Sequence, residues 1–520
     1  MSKDDDDLLK LISDFIKGKA GPPDATMASL NLGENVNLED FAPSPLSKTF
    51  WDFSKEYKTV CRALKKYGRV NCLRIIGAMM TIPELQANHY RLEVLIHLVF
   101  LHAEGKSRPT PANVTAWFNA LDKGTCGRQE DATEDVFVAP VTFEGRQYKL
   151  FEGSAEGNRF HTQLFLTILQ DMPNGGPYTM MKNGVRSILA LSELIAERFG
   201  VPPYYVGSTT PRSGIGKPSP EAWRELRQRV VFSQSALEDH AVDLSTLTPF
   251  FIQKDHAKGL LDHMPGHSPL EWYPLILHKD ELVVFHPTMI GTAIRHMMIT
   301  LCQRMDMERE LHTALTNAYV QLFANKGLLK KNPPPLQMQH YGPFDAAQLV
   351  QELDKGRYLH LLFFVDGFES FAEETFIGTN PVDPISDYVA KSIEEAHKKC
   401  VEASDFREGL TLVIPCGWGR YVGFRPPELP ENWRIDLMPP HDALAFHDMP
   451  KFKTTDLFKI LDAQDAVSEQ NIVLINANGI FNLWAWMMNN DGHIVQHEKL
   501  EHDFVTADRP GMMHIPTNSC

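Results

Sequence analysis

Three short apolar runs in the last third of the chain, each ending in a polar or Gly-bearing loop, constrain its fold most. The run 359–365 leads into Asp366-Gly367, the run 410–414 into Pro415-Cys416-Gly417, and the run 471–475 into Asn476-Ala477-Asn478-Gly479. Strands covered by helices on both faces are apolar along their whole length, so such runs between helical patterns predict an α/β sheet. In open sheets of that kind, ligands bind where the carboxyl ends of the strands converge. The same reading predicts helices over 345–354, 384–403, 454–463 and 480–488, with a further stretch at 434–446.

A chain of 520 residues exceeds a single compact core, so several domains are expected. The predicted fold class is mixed α/β and α+β, multidomain. A tail and linker occupy 1–46, a helical region 47–125, and an α+β domain with hairpins 126–330. A Pro-rich linker at 331–343 precedes a C-terminal α/β sheet domain at 344–520. Consecutive prolines favour extended chain, and Lys330-Lys331-Asn332-Pro333-Pro334-Pro335 marks that last boundary. In the helical region, Lys58, Arg62, Lys65, Lys66 and Arg69 fall at three- and four-residue spacing, which predicts one helix with a basic stripe. Leu92, Leu95, Ile96, Val99 and Phe100 predict a second, strongly apolar helix. Thr110-Pro111 predicts the start of a third, with Val114, Trp117, Phe118 and Leu121 inward.

Hairpins are expected around Glu144-Gly145-Arg146 and around His278-Lys279-Asp280-Glu281. Helices are expected at 158–171, 183–199, 219–237 and 287–304, with more helix up to Asn325. Residues 8–17 read as a short amphipathic helix in a mobile tail. Residues 511–516 read as the start of a strand, either a frayed edge or the sign of a longer architecture.

The balance of 51 Lys and Arg against 66 Asp and Glu gives a formal charge of -15. Wholesale wrapping by nucleic acid or an anionic membrane is excluded by that field, though a local basic face is not. Seven scattered cysteines without a C-x-x-C predict reduced thiols, and the acidic start is unlike a secretory signal. The most apolar window, 92–101, is too short to span a bilayer. A soluble cytoplasmic protein is expected, with a protein partner, a nucleic-acid partner as a further option, no membrane, and cofactors unknown.

Candidate chemistry gathers at the strand ends. Asp366 and Glu369 follow one run and offer carboxylates suited to a divalent cation. Cys416 follows another, with His441 and Asp442 downstream as base and orienting group for a thiol nucleophile. Asn476, Asn478 and Gly479 precede a helix whose N-terminal amides suit an anion. Each has a plainer reading: an acidic turn, a buried strand-end cysteine, an ordinary strand-to-helix turn. Gly214-Ile215-Gly216-Lys217 fails as a phosphate loop because Pro211 and Pro218 stand where Gly and a hydroxyl residue are required. The histidine groups at 263 and 267 and at 493, 497 and 502 lack the spacing and cysteines of a zinc site.

No motif is specific enough to attach the chain to a characterised family. The leading expectation is an interaction or regulatory protein. The second is a metal-dependent or thiol hydrolase at the strand ends. The third is nucleic-acid binding through the basic stripe, with Asn113, Thr115 and Asn119 of the following helix free to touch bases.

Overall fold

Four helices open the part of the chain that the computed structural model describes, namely residues 55–121, 136–152, 158–207, 219–253, 268–330, 333–336, 338–341, 344–366, 384–403, 405–416, 427–438, 440 and 453–469. Helix α1 (Lys55–Leu64) is shorter than its basic stripe, and α2 (Arg69–Met79) begins a new helix. Between them Tyr67 and Gly68 bridge to Ser107 and Glu104, with Gly68 N donating to the Ser107 carbonyl at 2.9 Å. The single basic stripe is therefore corrected. Lys58, Arg62, Lys65 and Lys66 are exposed, whereas Arg69 is 4% exposed, its guanidinium 5.8 Å from the Phe100 ring. Glycine weakens helix at Gly68, and backbone partners on the Glu104–Ser107 segment capture the chain there.

Helix α3 (His89–His102) is buried from His89 through Leu101. A helix apolar over most of its circumference belongs at the centre of a core, and this one is packed by α1, α2 and α4 (Pro111–Leu121). It takes polar side chains inward with it: Arg91, Glu93 and His97 are buried, and the Arg91 guanidinium lies 4.5 Å from the Phe118 ring. Helix α4 begins at Pro111 as expected, with Val114, Trp117, Phe118 and Leu121 buried.

Strands β1 (Val136–Phe143) and β2 (Arg146–Phe151) form the first expected hairpin, with Glu144 and Gly145 both at positive φ as a tight two-residue turn requires. Helices α5 (Asn158–Asp171) and α6 (Gly176–Arg198) follow, then the short edge strand β3 (Tyr205–Val206). The expected helix 219–237 is interrupted. Helix α7 (Pro220–Gln228) ends before β4 (Val231–Ser233), and Ser233 then caps α8 (Gln234–Glu238). The run Val230-Val231-Phe232 suits a pleated surface, and β4 pairs along the second hairpin. That hairpin follows α9 (Pro269–Trp272) and consists of β5 (Leu275–His278) and β6 (Glu281–Val284), reversing at Lys279-Asp280. Gly77 of α2 lies so near the Val284 and Phe285 carbonyls that a Cβ would stand 2.8 Å from the first. Helix α10 (Ile290–Arg304) packs on α5, α6 and α9.

The chain divides into two compact units, the first ending at Leu311 and the second starting at His312, inside helix α11 (Glu308–Lys326). The Pro-rich stretch follows that division. Asn317 of α11 holds Leu336 through both its amide oxygen and its amide nitrogen, at 2.9 and 3.1 Å.

The second unit is built on a five-stranded sheet in the order β11-β10-β9-β8-β7. Strands β7 (Gln339–Tyr341) and β8 (Phe344–Asp354) are antiparallel, as are β8 and β9 (Arg357–Asp366). Strands β9, β10 (Glu408–Pro415) and β11 (Trp433–Leu437) are mutually parallel, with α12 (Pro384–Glu402) between β9 and β10 in sequence. Helix α13 (Asp456–Glu469) follows β11. The helix expected at 345–354 is β8. Ala346-Ala347-Gln348-Leu349 favours helix locally, but Gly356 at φ 77° turns the chain back so that β9 supplies a full ladder of partners.

Phe363 meets Phe323 of α11 on one face of the sheet, and His360 meets Trp433 and, through it, His397 of α12 on the other. Helices therefore cover both faces, which is why β9 and β10 are apolar over most of their length. One polar ladder crosses that interior: Trp433 Nε1 donates to Thr411 Oγ1 at 2.8 Å, and the His360 ring bridges Thr411 and Gln348 at 3.0 and 3.1 Å. The Gln348 oxygen only accepts, so Nε2 of His360 carries the proton and Nδ1 accepts from the Thr411 hydroxyl. Burial, with a smaller contribution from Lys399, pushes His360 down to about 3 and keeps it neutral.

Candidate functional site

Parallel strands β9 and β10 end side by side. Cys416 N donates to the Phe364 carbonyl at 2.8 Å, so the exit of β10 lies beside the last residues of β9, where Asp366 stands. The start of β8 faces the same end, with Phe344 opposite Asp366 and Asp345 opposite Val365. Helix α11 crosses above. His312 and Thr316, one turn apart, reach Asp345 and Met338 respectively.

Asp345 is the centre of this site. Its Oδ2 lies 2.8 Å from His312 Nδ1 and its Oδ1 lies 3.0 Å from His340 Nδ1, so both oxygens are occupied by imidazoles. The local fold dictates this, because His340 and Asp345 are Cα partners in the β7–β8 hairpin. Burial raises the carboxyl, but hydrogen bonds and charge from His312 and His340 outweigh it and hold Asp345 below its usual value. A carboxylate accepts at both positions, so each histidine donates from Nδ1. The two imidazoles then differ in access: the His312 side chain is 3% exposed and that of His340 62%. His340, when neutral, turns a basic Nε2 towards solvent while a buried carboxylate fixes its tautomer. That is the pairing used in general acid–base catalysis.

Cys416 occupies the expected strand end. It is 4% exposed, its Sγ lies 3.6 Å from the Ile414 carbonyl, and burial pushes its thiol well above the ordinary value, with a hydrogen bond to Thr316 opposing. A nucleophilic cysteine needs the opposite shift. Asp366 is placed by its backbone alone. Glu369, His441, Asp442, Asn476, Asn478 and Gly479 lie outside the described residues, as do the strand 471–475, the helix 480–488, the tail and the histidine groups near 263 and 497.

The base-touching reading of α4 is also corrected. Asn113 accepts from Thr110 N and Oγ1 as part of the helix start, and Thr115 is buried, leaving Asn119 exposed. Sequence reasoning passed over His312, His340 and Asp345 because it placed 345–354 in a helix. The signal available in the sequence was the Gly342-Pro343 dipeptide between Tyr341 and Phe344, a turn signature.

The first unit holds a contrasting group. His89, His97 and His286 are buried near one another, with His286 held down to about 3 by burial, then by His89 and His97, and His89 held down to about 4 by burial. His89 and His286 are sealed, neutral rings. Among the described residues no three His, Cys, Asp or Glu side chains are arranged to hold a metal ion, and no helix is long and apolar enough to cross a membrane.

A family model described as Upx-like, anti-phage protein Upx-like, matches residues 39–520. No curated protein and no solved structure matches the chain.

Proposed function

The chain belongs to the Upx-like family of anti-phage proteins, and we propose that it serves that defence as a hydrolase whose base is His340, oriented by Asp345. The observation that supports this reading is a buried carboxylate holding the Nδ1 of an exposed imidazole at the carboxyl end of parallel strands. His312 occupies the second carboxylate oxygen and stops Asp345 from turning away from His340. In this reading His340 Nε2 takes a proton from water as the water attacks the substrate, Asp345 stabilises the imidazolium, and that proton passes to the leaving group as its bond to the substrate breaks. The buried Cys416 packs the strand end and takes no part in bond breaking.

The test is protection of a phage-sensitive host by the full chain carrying His340→Gln or Asp345→Asn. Both variants are expected to lose protection, while His340→Gln keeps the thermal midpoint of the parent because that side chain is exposed. Full protection by folded His340→Gln would remove the proposal.

A second reading, partner binding, is supported by Tyr204, Tyr205 and Val206, which are exposed at 54%, 37% and 54% on and beside edge strand β3. Tyr205→Lys would then lower protection with His340 intact; unchanged protection would argue against it.

A further inference from the structure

The first unit carries a cationic surface that reaches beyond the basic stripe. Arg224 and Arg227 stand one turn apart on α7, which packs on α2, where Arg74 lies. Arg74 is neutralised by Glu281 of β6 at 2.5 Å. Arg108, Arg224 and Arg227 form no ion pair with any described residue, and Arg227 Nε has no hydrogen-bond partner among them. Burial lowers the Arg227 pKa, and the charges acting with it are Arg108, Arg74 and Arg224, all of the same sign. Exposed Lys65, Lys66 and Lys106 adjoin Arg108 through the backbone bonds that tie Lys66 and Gly68 to Ser107. Exposed Glu104, Glu221 and Glu225 stand on the same segments, Glu225 committed to Arg229 at 3.1 Å, and the three arginines stay unpaired among the described residues in a chain of net charge -15.

We infer that the surface formed by Arg108, Arg224 and Arg227, extended by Lys65, Lys66 and Lys106, binds the phosphate backbone of double-stranded nucleic acid. Guanidinium forks match phosphate oxygens two at a time. A protein partner would need an apolar interface centre, and the large exposed apolar side chains of the described residues lie at Tyr204, Tyr205, Val206, Val401 and Leu429, not on α1, α2, α7 or the α3–α4 loop. Single strands are held by stacking bases on exposed aromatic rings, and the described residues of this surface offer none. Duplex phosphates remain as the partner that needs only charge and guanidinium geometry. This inference goes beyond the hydrolase reading and is independent of it.

The experiment is fluorescence anisotropy of the full chain with a labelled duplex DNA of arbitrary sequence. Neutralising three phosphates makes affinity fall about 40-fold between about 50 and 200 mM salt, from a slope of about -0.9 per phosphate. Arg108→Gln, Arg224→Gln and Arg227→Gln are each expected to flatten the slope by about one unit. Arg108 and Arg224 are exposed, so their variants keep the thermal midpoint of the parent and separate binding from folding. Arg69→Gln, a buried change outside the surface, leaves the slope unaltered in whatever fraction folds. No duplex binding, a slope unchanged in the triple variant, or equal arginine-dependent binding to single strands, polyglutamate or phosphatidylserine vesicles would overturn the inference. Binding and protection are read separately, so loss of one leaves the other reading standing.

Discussion

Two polar chains cross the same five-stranded sheet and treat histidine in opposite ways. In the interior, Gln348, His360, Thr411 and Trp433 link four strands through neutral groups, and His360 is fully enclosed. At the strand ends, His312, Asp345 and His340 are joined through a carboxylate, and His340 is open to solvent. Burial without a counter-charge removes the proton-binding capacity that makes histidine useful and turns the ring into a spacer with two hydrogen bonds. His340 instead has a carboxylate partner and solvent access. The sealed His89 and His286 of the first unit belong with the interior ladder by this criterion.

Acid separates the two kinds of histidine most strongly. His360 titrates near 3 when folded against an ordinary 6.5, so the unfolded chain binds the extra proton between those values. Stability is therefore full above pH 6.5 and falls as pH drops towards 3, by about 1.4 kcal/mol per pH unit, on the order of 4 kcal/mol across the window. His286, with the same folded value, and His89, near 4, act in the same direction in the first unit. Asp345, held low, adds to the loss in the second unit as pH falls below the ordinary carboxyl range. Urea unfolding across pH would show this as a falling midpoint, and a flat profile between 6.5 and 4 would contradict the neutral, buried state.

His360→Leu comes next. It strands the Gln348 oxygen and removes one partner of Thr411, at a cost of about 2–3 kcal/mol. It also removes this residue's share of the acid slope; an unchanged slope in the variant would show that the ladder is not what responds. Asp345→Asn removes the charge that two imidazoles share and is expected to cost about 1–2 kcal/mol at neutral pH in addition to protection. His340→Gln sits at the far end, within about 0.5 kcal/mol of the parent, because the exposed ring contributes little to folding. A loss as large as that of Asp345→Asn would place His340 with the structural histidines and dissolve the contrast.

Periodicity identified most elements because burial imposes it. Helix α5 was expected at 158–171 and lies at Asn158–Asp171, the hairpin at Glu144-Gly145 forms, and the runs ending at Asp366 and Cys416 are parallel strands. Errors fell where local preference and tertiary pairing disagree. Residues 345–354 carry helix formers yet are held as a strand by β9, and the basic stripe breaks at Gly68 because Ser107 and Glu104 offer backbone partners. The site was half legible. Convergence of β9 and β10 followed from their apolar runs, but Asp345 and His340 became neighbours only through a hairpin that the local pattern did not announce.

What the sequence by itself determined is the mixed fold class, the apolar runs that become β9 and β10, and the charge balance. Those follow from which side chains avoid water, and that preference is a property of each residue. What only the tertiary structure decided is which polar groups meet. It set Arg227 beside Arg108 and Arg74, buried Arg69 and Cys416, and gave Asp345 to both His312 and His340. Pairings of this kind depend on strand register and helix crossing, which arise from contacts between residues far apart in the chain.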